Sequence, residues 1–145
     1  MITDFFEVPE LVCPEVYHKY NSFALNFFDT KLLIVMEAIR SRLNKKIIIN
    51  DWQIHGQFSQ RGFRCVQCQI MTDLYKSGNL FTDPHALGKA FDFDVEGLVA
   101  SEVRDYLIKN ATLWPYPIRL EADVLWCHID TYNDGSQGKV ILFNA

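Results

Sequence analysis

The stretch "KAFDFDV", residues 89–95, decides how the rest of the chain reads. Phe91, Phe93 and Val95 are apolar and alternate with Ala90, Asp92 and Asp94. An extended strand sends successive side chains to opposite faces, so the alternation predicts a strand with one face in a core and one polar face. "VLWCHID", 124–130, behaves alike: Leu125, Cys127 and Ile129 alternate with Trp126, His128 and Asp130. Set side by side in one antiparallel sheet, the two polar faces bring Asp92 near His128. His85, in the loop before the first strand, can then fold back over both. Gly88 lets that loop turn tightly because it tolerates positive φ. Ala90 is small and leaves the point of convergence open.

Two imidazoles and one carboxylate with an open fourth position form the pattern of a catalytic zinc site. Such donors suit zinc better than magnesium or calcium, which prefer all-oxygen shells. A structural zinc is more often closed by four ligands, frequently thiolates. Spacing alone leaves a plainer reading open, in which His85 is an ordinary loop residue and the aspartates are a solvated strand face.

Working outward, residues 30–43 repeat Leu32, Val35, Met36, Ile39 and Leu43 at helical spacing, with Asp29 or Thr30 as the cap. "KIIIN", 46–50, reads as a short buried strand ended by Asn50 and Asp51. Residues 64–78 read as a helix with Gly78 just past its end. Residues 95–110 read as another, with Val95, Leu98, Val99, Val103, Tyr106 and Leu107 as its apolar stripe. Helices plus strands joined by short turns suggest an α+β domain. No repeat, low-complexity tract or linker divides the chain, so residues 1–145 are expected to form a single domain.

At 145 residues and 49% hydrophobic, the chain can bury a core without disulfide staples. The net charge of −4, with "NKK" at 44–46 the only basic cluster, speaks against a nucleic-acid surface. No apolar run reaches the roughly 18 residues of a membrane span. The start is acidic and broken by Pro9 and Pro14, unlike a secretory signal peptide, so cytoplasmic synthesis is expected. The four cysteines are then expected as thiols.

"HALGKAFD", 85–92, matches the His-x-x-Gly-x-Ala-x-Asp signature of the M15-type zinc peptidases. These are D-alanyl-D-alanine carboxypeptidases, dipeptidases and peptidoglycan endopeptidases of bacteria and phages. "LWCHID" supplies the family's late histidine after a tryptophan, and "RGFR", 61–64, resembles its Gly-aromatic-Arg element. The three elements come in the family's order across residues 61–130. "FFEVPELVCPEVY" also resembles the start of phage-associated members.

The resemblance implies His85, Asp92 and His128 as zinc ligands. It implies Arg64, with Arg61 as fallback, as the cation that stabilises negative charge on the substrate. It implies a fold like the hedgehog/D-alanyl-D-alanine-peptidase architecture, an antiparallel sheet with helices packed on one face. The activity would be hydrolysis of peptidoglycan peptides by metal-activated water. Such an enzyme acts at the bacterial cell wall, which fits a phage or prophage origin such as an endolysin.

One departure concerns the general base. Many relatives carry a carboxylate three residues before the last histidine, where this chain has Leu125. Glu121 is the favoured substitute, because some relatives place a glutamate about as far upstream. Asp123, Asp94 and Asp130 are the alternatives, with a turn expected at Ala122–Asp123. A second departure is Asp83, where the family often has serine, followed by Pro84.

Asp94 or Asp130 is expected to take the second ring N–H of a ligating histidine. Trp126 either walls the cleft or packs in the core. Cys65 and Cys68 form a CxxC pair without a second one, and read as packed thiols. His55 is placed near the cleft, and His18 has no partner at ligand spacing.

Two rivals accompany the peptidase reading. One is a catalytically weak or inactive metal-binding domain that binds cell wall or holds a virion part together. The other is a cytosolic dipeptidase acting on free D-alanyl-D-alanine.

Overall fold

The computed structural model describes residues 3–79 and 82–145. It is a mixed α+β arrangement built on one five-stranded sheet. The strands are β1 (Ile47–Ile48), β2 (Ala90–Val95), β3 (Ile118–Glu121), β4 (Cys127–Asp130) and β5 (Val140–Phe143). Their order across the sheet is β1-β2-β4-β3-β5. Three pairings are antiparallel, and β3 with β5 is parallel, a departure from the all-antiparallel expectation.

The alternation in β2 does what it predicts. Phe91 and Phe93 are fully buried and join Cys127 and Ile129 of β4 and Ile118 and Leu120 of β3 in the core. Burying each phenylalanine contributes about 1.5–3 kcal/mol. The polar positions, Asp92, Asp94, His128 and Asp130, share the other face with Arg119 and Glu121 of β3. The register sets Asp92 opposite His128 and Arg119 opposite Asp130.

Among the described residues, five α-helices accompany the sheet. They are α1 (Val8–Leu11), α2 (Pro14–Tyr20), α3 (Thr30–Leu43), α4 (Gln69–Ser77) and α5 (Ala100–Lys109). In α3 the buried residues Leu32, Leu33, Val35, Met36 and Ile39 supply much of the core. Asp29 caps it by accepting from the Lys31 amide at 3.0 Å. The same carboxylate accepts from the Thr131 hydroxyl at 2.9 Å, and the Asp29 amide donates to Gly88 O at 2.8 Å. One capping residue thus ties α3 to the loop that carries His85 and to the end of β4.

Four boundaries differ from the periodicity reading. The helix expected over 64–78 is α4, which starts at Gln69; residues 65–68 instead form a turn closed by Cys68 N–H to Cys65 O at 3.1 Å. The helix expected over 95–110 starts at Ala100, because Val95 ends β2 and the chain turns at Gly97, φ 79°. The strand expected over 46–50 keeps only Ile47–Ile48, which pair with Val95 and Asp94. β4 begins at Cys127, so Trp126 precedes the strand. Among the described residues, no helix is long and apolar enough to cross a membrane.

Candidate metal centre

His85 reaches the sheet from a tight turn. Gly88 holds φ 67° there, and a Cβ would lie 1.9 Å from the Phe27 carbonyl oxygen. Glycine is required on both counts. Gly62 is similarly pressed against Leu11 O, also at 1.9 Å from a Cβ, and its own carbonyl accepts from His85 Nδ1 at 2.9 Å. A carbonyl only accepts, so Nδ1 carries the hydrogen and Nε2 is left with its lone pair. Nε2 lies 3.3 Å from Asp92 Oδ2.

His128 repeats the arrangement with the nitrogens exchanged. Its Nε2 donates to Asp130 Oδ2 at 3.0 Å, and its Nδ1 lies 2.7 Å from Asp92 Oδ1. Asp130 is fully buried and is itself fixed by two bonds from Arg119, at 2.8 and 2.9 Å, and by the Tyr132 amide at 3.0 Å. Of the two carboxylates expected to orient a histidine, Asp130 does so. Asp94 instead pairs with Arg61 at 2.8 Å.

The outward nitrogen of each ring is therefore committed, and both inward nitrogens face an acceptor-only carboxylate. Lone pairs meet lone pairs unless a cation stands among them. The three donor atoms lie within 4.8 Å of one another, so the set fits one ion. Without an ion the cation is a proton. Burial pulls His128 down, but bonds to Asp130 and Asp92 outweigh it and lift the ring to about 9. Burial pushes Asp92 up, yet the bonds to His128 and His85 hold it below the usual carboxylate range.

A cleft of about 320 Å³ opens over this centre. Arg64, Glu121, Trp126 and Phe143 line it together with His85, Asp92 and His128. Arg64 is aimed by three acceptors: Gln60 O at 3.0 Å, Asp83 Oδ2 at 3.4 Å and Asp92 Oδ2 at 3.5 Å. Asp83 Oδ1 also accepts from the His85 amide at 2.9 Å. The departure at Asp83 thus positions both the arginine and the first histidine. Arg61 is turned away, stacked 4.0 Å over Phe58 and paired with Asp94.

Glu121 ends β3, one register step beyond the Leu120–Ile129 pair and so across from His128. Among the described residues its carboxylate has no hydrogen-bond or ion-pair partner. The other base candidates stand elsewhere. Asp123 turns the chain at φ 60° and, with Asp94, borders a different pocket beside α5. Asp130 is consumed by Arg119 and His128. Leu125 is 92% exposed and outside the cleft, and Trp126 walls it. His55 is exposed at the end of a 3₁₀ turn and does not line the cleft, contrary to expectation; His18 packs against Trp52. A more apolar pocket of about 310 Å³ shares Arg64 and is lined by Val16, Phe63 and Met71.

The sequence reading missed Arg119, whose only signal was its place two residues before Glu121 on an alternating strand. It also missed that Cys13 joins Cys65 and Cys68. Cys13 and Cys68 are buried, and burial pushes both thiols above the ordinary range. No protein-family model, curated protein or solved structure matches the chain.

Proposed function

We propose that the protein is a zinc-dependent peptidase that hydrolyses peptide bonds of peptidoglycan, with a hedgehog/D-alanyl-D-alanine-peptidase-like fold. The observation that carries this reading is the inward pair of ring nitrogens, His85 Nε2 and His128 Nδ1, converging on Asp92 while Gly62 O and Asp130 hold their far sides. That is a ligand set oriented before any ion arrives. The substrate class rests on the resemblance of "HALGKAFD", "RGFR" and "LWCHID" to the cell-wall peptidases.

His85, Asp92 and His128 would hold the zinc. When bound, zinc supplies a Lewis acid that polarises a carbonyl and acidifies water towards a pKa of about 7. Glu121, which lines the cleft and has no hydrogen-bond or ion-pair partner among the described residues, serves as general base. It takes a proton from the attacking water and returns it to the leaving amine. Arg64, already held at its Nε and both terminal nitrogens, offers positive charge to the carbonyl oxygen as it becomes an oxyanion. Trp126 and Phe143 flank the peptide and exclude water.

Mass spectrometry of purified peptidoglycan incubated with the protein, with and without a zinc chelator, tests the reading. Fragments that appear and vanish with chelator are expected, and their masses name the bond. No cleavage by zinc-loaded protein would overturn the peptidase and leave a cell-wall-binding or virion module.

A further inference from the structure

We propose that Cys13, Cys65 and Cys68 hold a second zinc ion, with the Glu15 carboxylate as fourth ligand, and that this ion braces the segment carrying Arg64. Cys13 lies between α1 and α2, 52 residues before Cys65. Its Sγ is 3.5 Å from that of Cys65, which is 3.3 Å from that of Cys68. With a Glu15 oxygen, the four donor atoms lie within 4.8 Å of one another. A tetrahedral zinc with sulfur bonds of about 2.3 Å sets sulfurs about 3.8 Å apart. The Cys13–Cys65 and Cys65–Cys68 sulfur pairs are already close to that spacing.

Packing accounts for one buried cysteine, since a thiol behaves as a small apolar group. It does not account for three that converge from two segments and meet through their sulfurs. A disulfide would use two sulfurs and strand the third, and all three are free thiols. Soft sulfur donors select zinc over the hard cations, and four protein ligands close the site, which makes it structural. Binding releases the three thiol protons to solvent.

The bracing follows from position. Residues 61–64 supply Arg61 O, which accepts from the Asp92 amide at 2.7 Å, Gly62 O, which orients His85, and Arg64 itself. This segment has no strand of its own. It leans on the α1–α2 junction through Phe63 N–H to Leu11 O at 3.0 Å and an isolated bridge between Val12 and Phe63. An ion at Cys13, Cys65 and Cys68 clamps that junction beside Arg64.

The test is cobalt(II) and zinc loading of reduced, full-length protein, read by absorption and native mass spectrometry. Two zinc ions per chain are expected. The double variant His85→Ala/His128→Ala should keep one, and with cobalt should show the intense ultraviolet thiolate-to-metal band. Cys65→Ser should lose that band and that ion. Absence of the band in reduced wild-type protein would overturn the proposal. So would an ion that survives when Cys65→Ser is added to the His85→Ala/His128→Ala variant, or thiols recovered as a disulfide. None of these readouts depends on peptide cleavage, so the peptidase reading stands or falls separately.

Discussion

The two clusters of ligand-type side chains are built in opposite ways. His85, Asp92 and His128 stand largely on neighbouring strands whose register sets Asp92 against His128. Each ring is held on its far side, one by Gly62 O and one by an Asp130 that Arg119 has fixed. Cys13, Cys65 and Cys68 stand at the ends of short helices and on one turn, with the Cys65 sulfur 3.5 Å from that of Cys13 and 3.3 Å from that of Cys68. The first geometry is oriented by hydrogen bonds without an ion, as a site needs to be if it is to act on a substrate. At the second, the proposed ion would tie two segments of the chain together and so would contribute to folding itself. Arg64 links them: it immediately precedes Cys65 and bonds to Asp92.

The contrast can be broken most directly at His128. His128→Ala should empty the sheet centre of zinc and abolish cleavage while the protein stays folded, as judged by metal analysis and circular dichroism. Unfolding instead would mean that the sheet centre is the structural one. Glu121→Gln should leave zinc content unchanged and lower kcat by about 10²–10⁴-fold, the usual worth of a general base. An unchanged kcat would move the proton transfer to another group.

Smaller effects sharpen the picture. In metal-stripped protein His128 titrates near 9, above the ordinary value of 6.5. A raised pKa means that the charged ring's stabilisation is complete below pH 6.5 and is lost as pH rises through 9. Urea unfolding should therefore show about 3 kcal/mol less stability at the alkaline end. His128→Gln should flatten most of that slope. Asp130→Asn should weaken zinc at the sheet centre by about 10–100-fold in competition with a chelator, and leave the thiolate ion untouched.

Much of the sheet centre was legible because strands write their faces in alternation. Phe91 and Phe93 against Asp92 and Asp94, and Cys127 and Ile129 against His128 and Asp130, were enough to set the two polar faces together. Ends of elements were harder. Val95 and Leu98 fit the stripe of α5, yet Val95 closes β2 and the helix waits until Ala100, because Gly97 turns the chain between them. Arg119 was not legible, since its partner Asp130 is fixed by strand register and not by spacing. Nor was the meeting of Cys13 with Cys65, since nothing local announces a contact across 52 residues. The parallel pairing of β5 with β3 was equally hidden, because it depends on β4 being taken into the middle of the sheet.

That central place of β4 has a consequence for how the protein comes into being. Synthesis runs from the N-terminus, so β2 and β3 leave the ribosome before the strand that joins them. Until residues 127–130 exist, β2, with His85 on the loop before it, has only β1 as a strand neighbour, and β3, which carries Arg119 and Glu121, has no strand partner at all, because both of its neighbours come later in the chain. The cleft is then not a part waiting to be switched on but a seam, absent from the growing chain until β4, and after it β5 with Phe143, have been made.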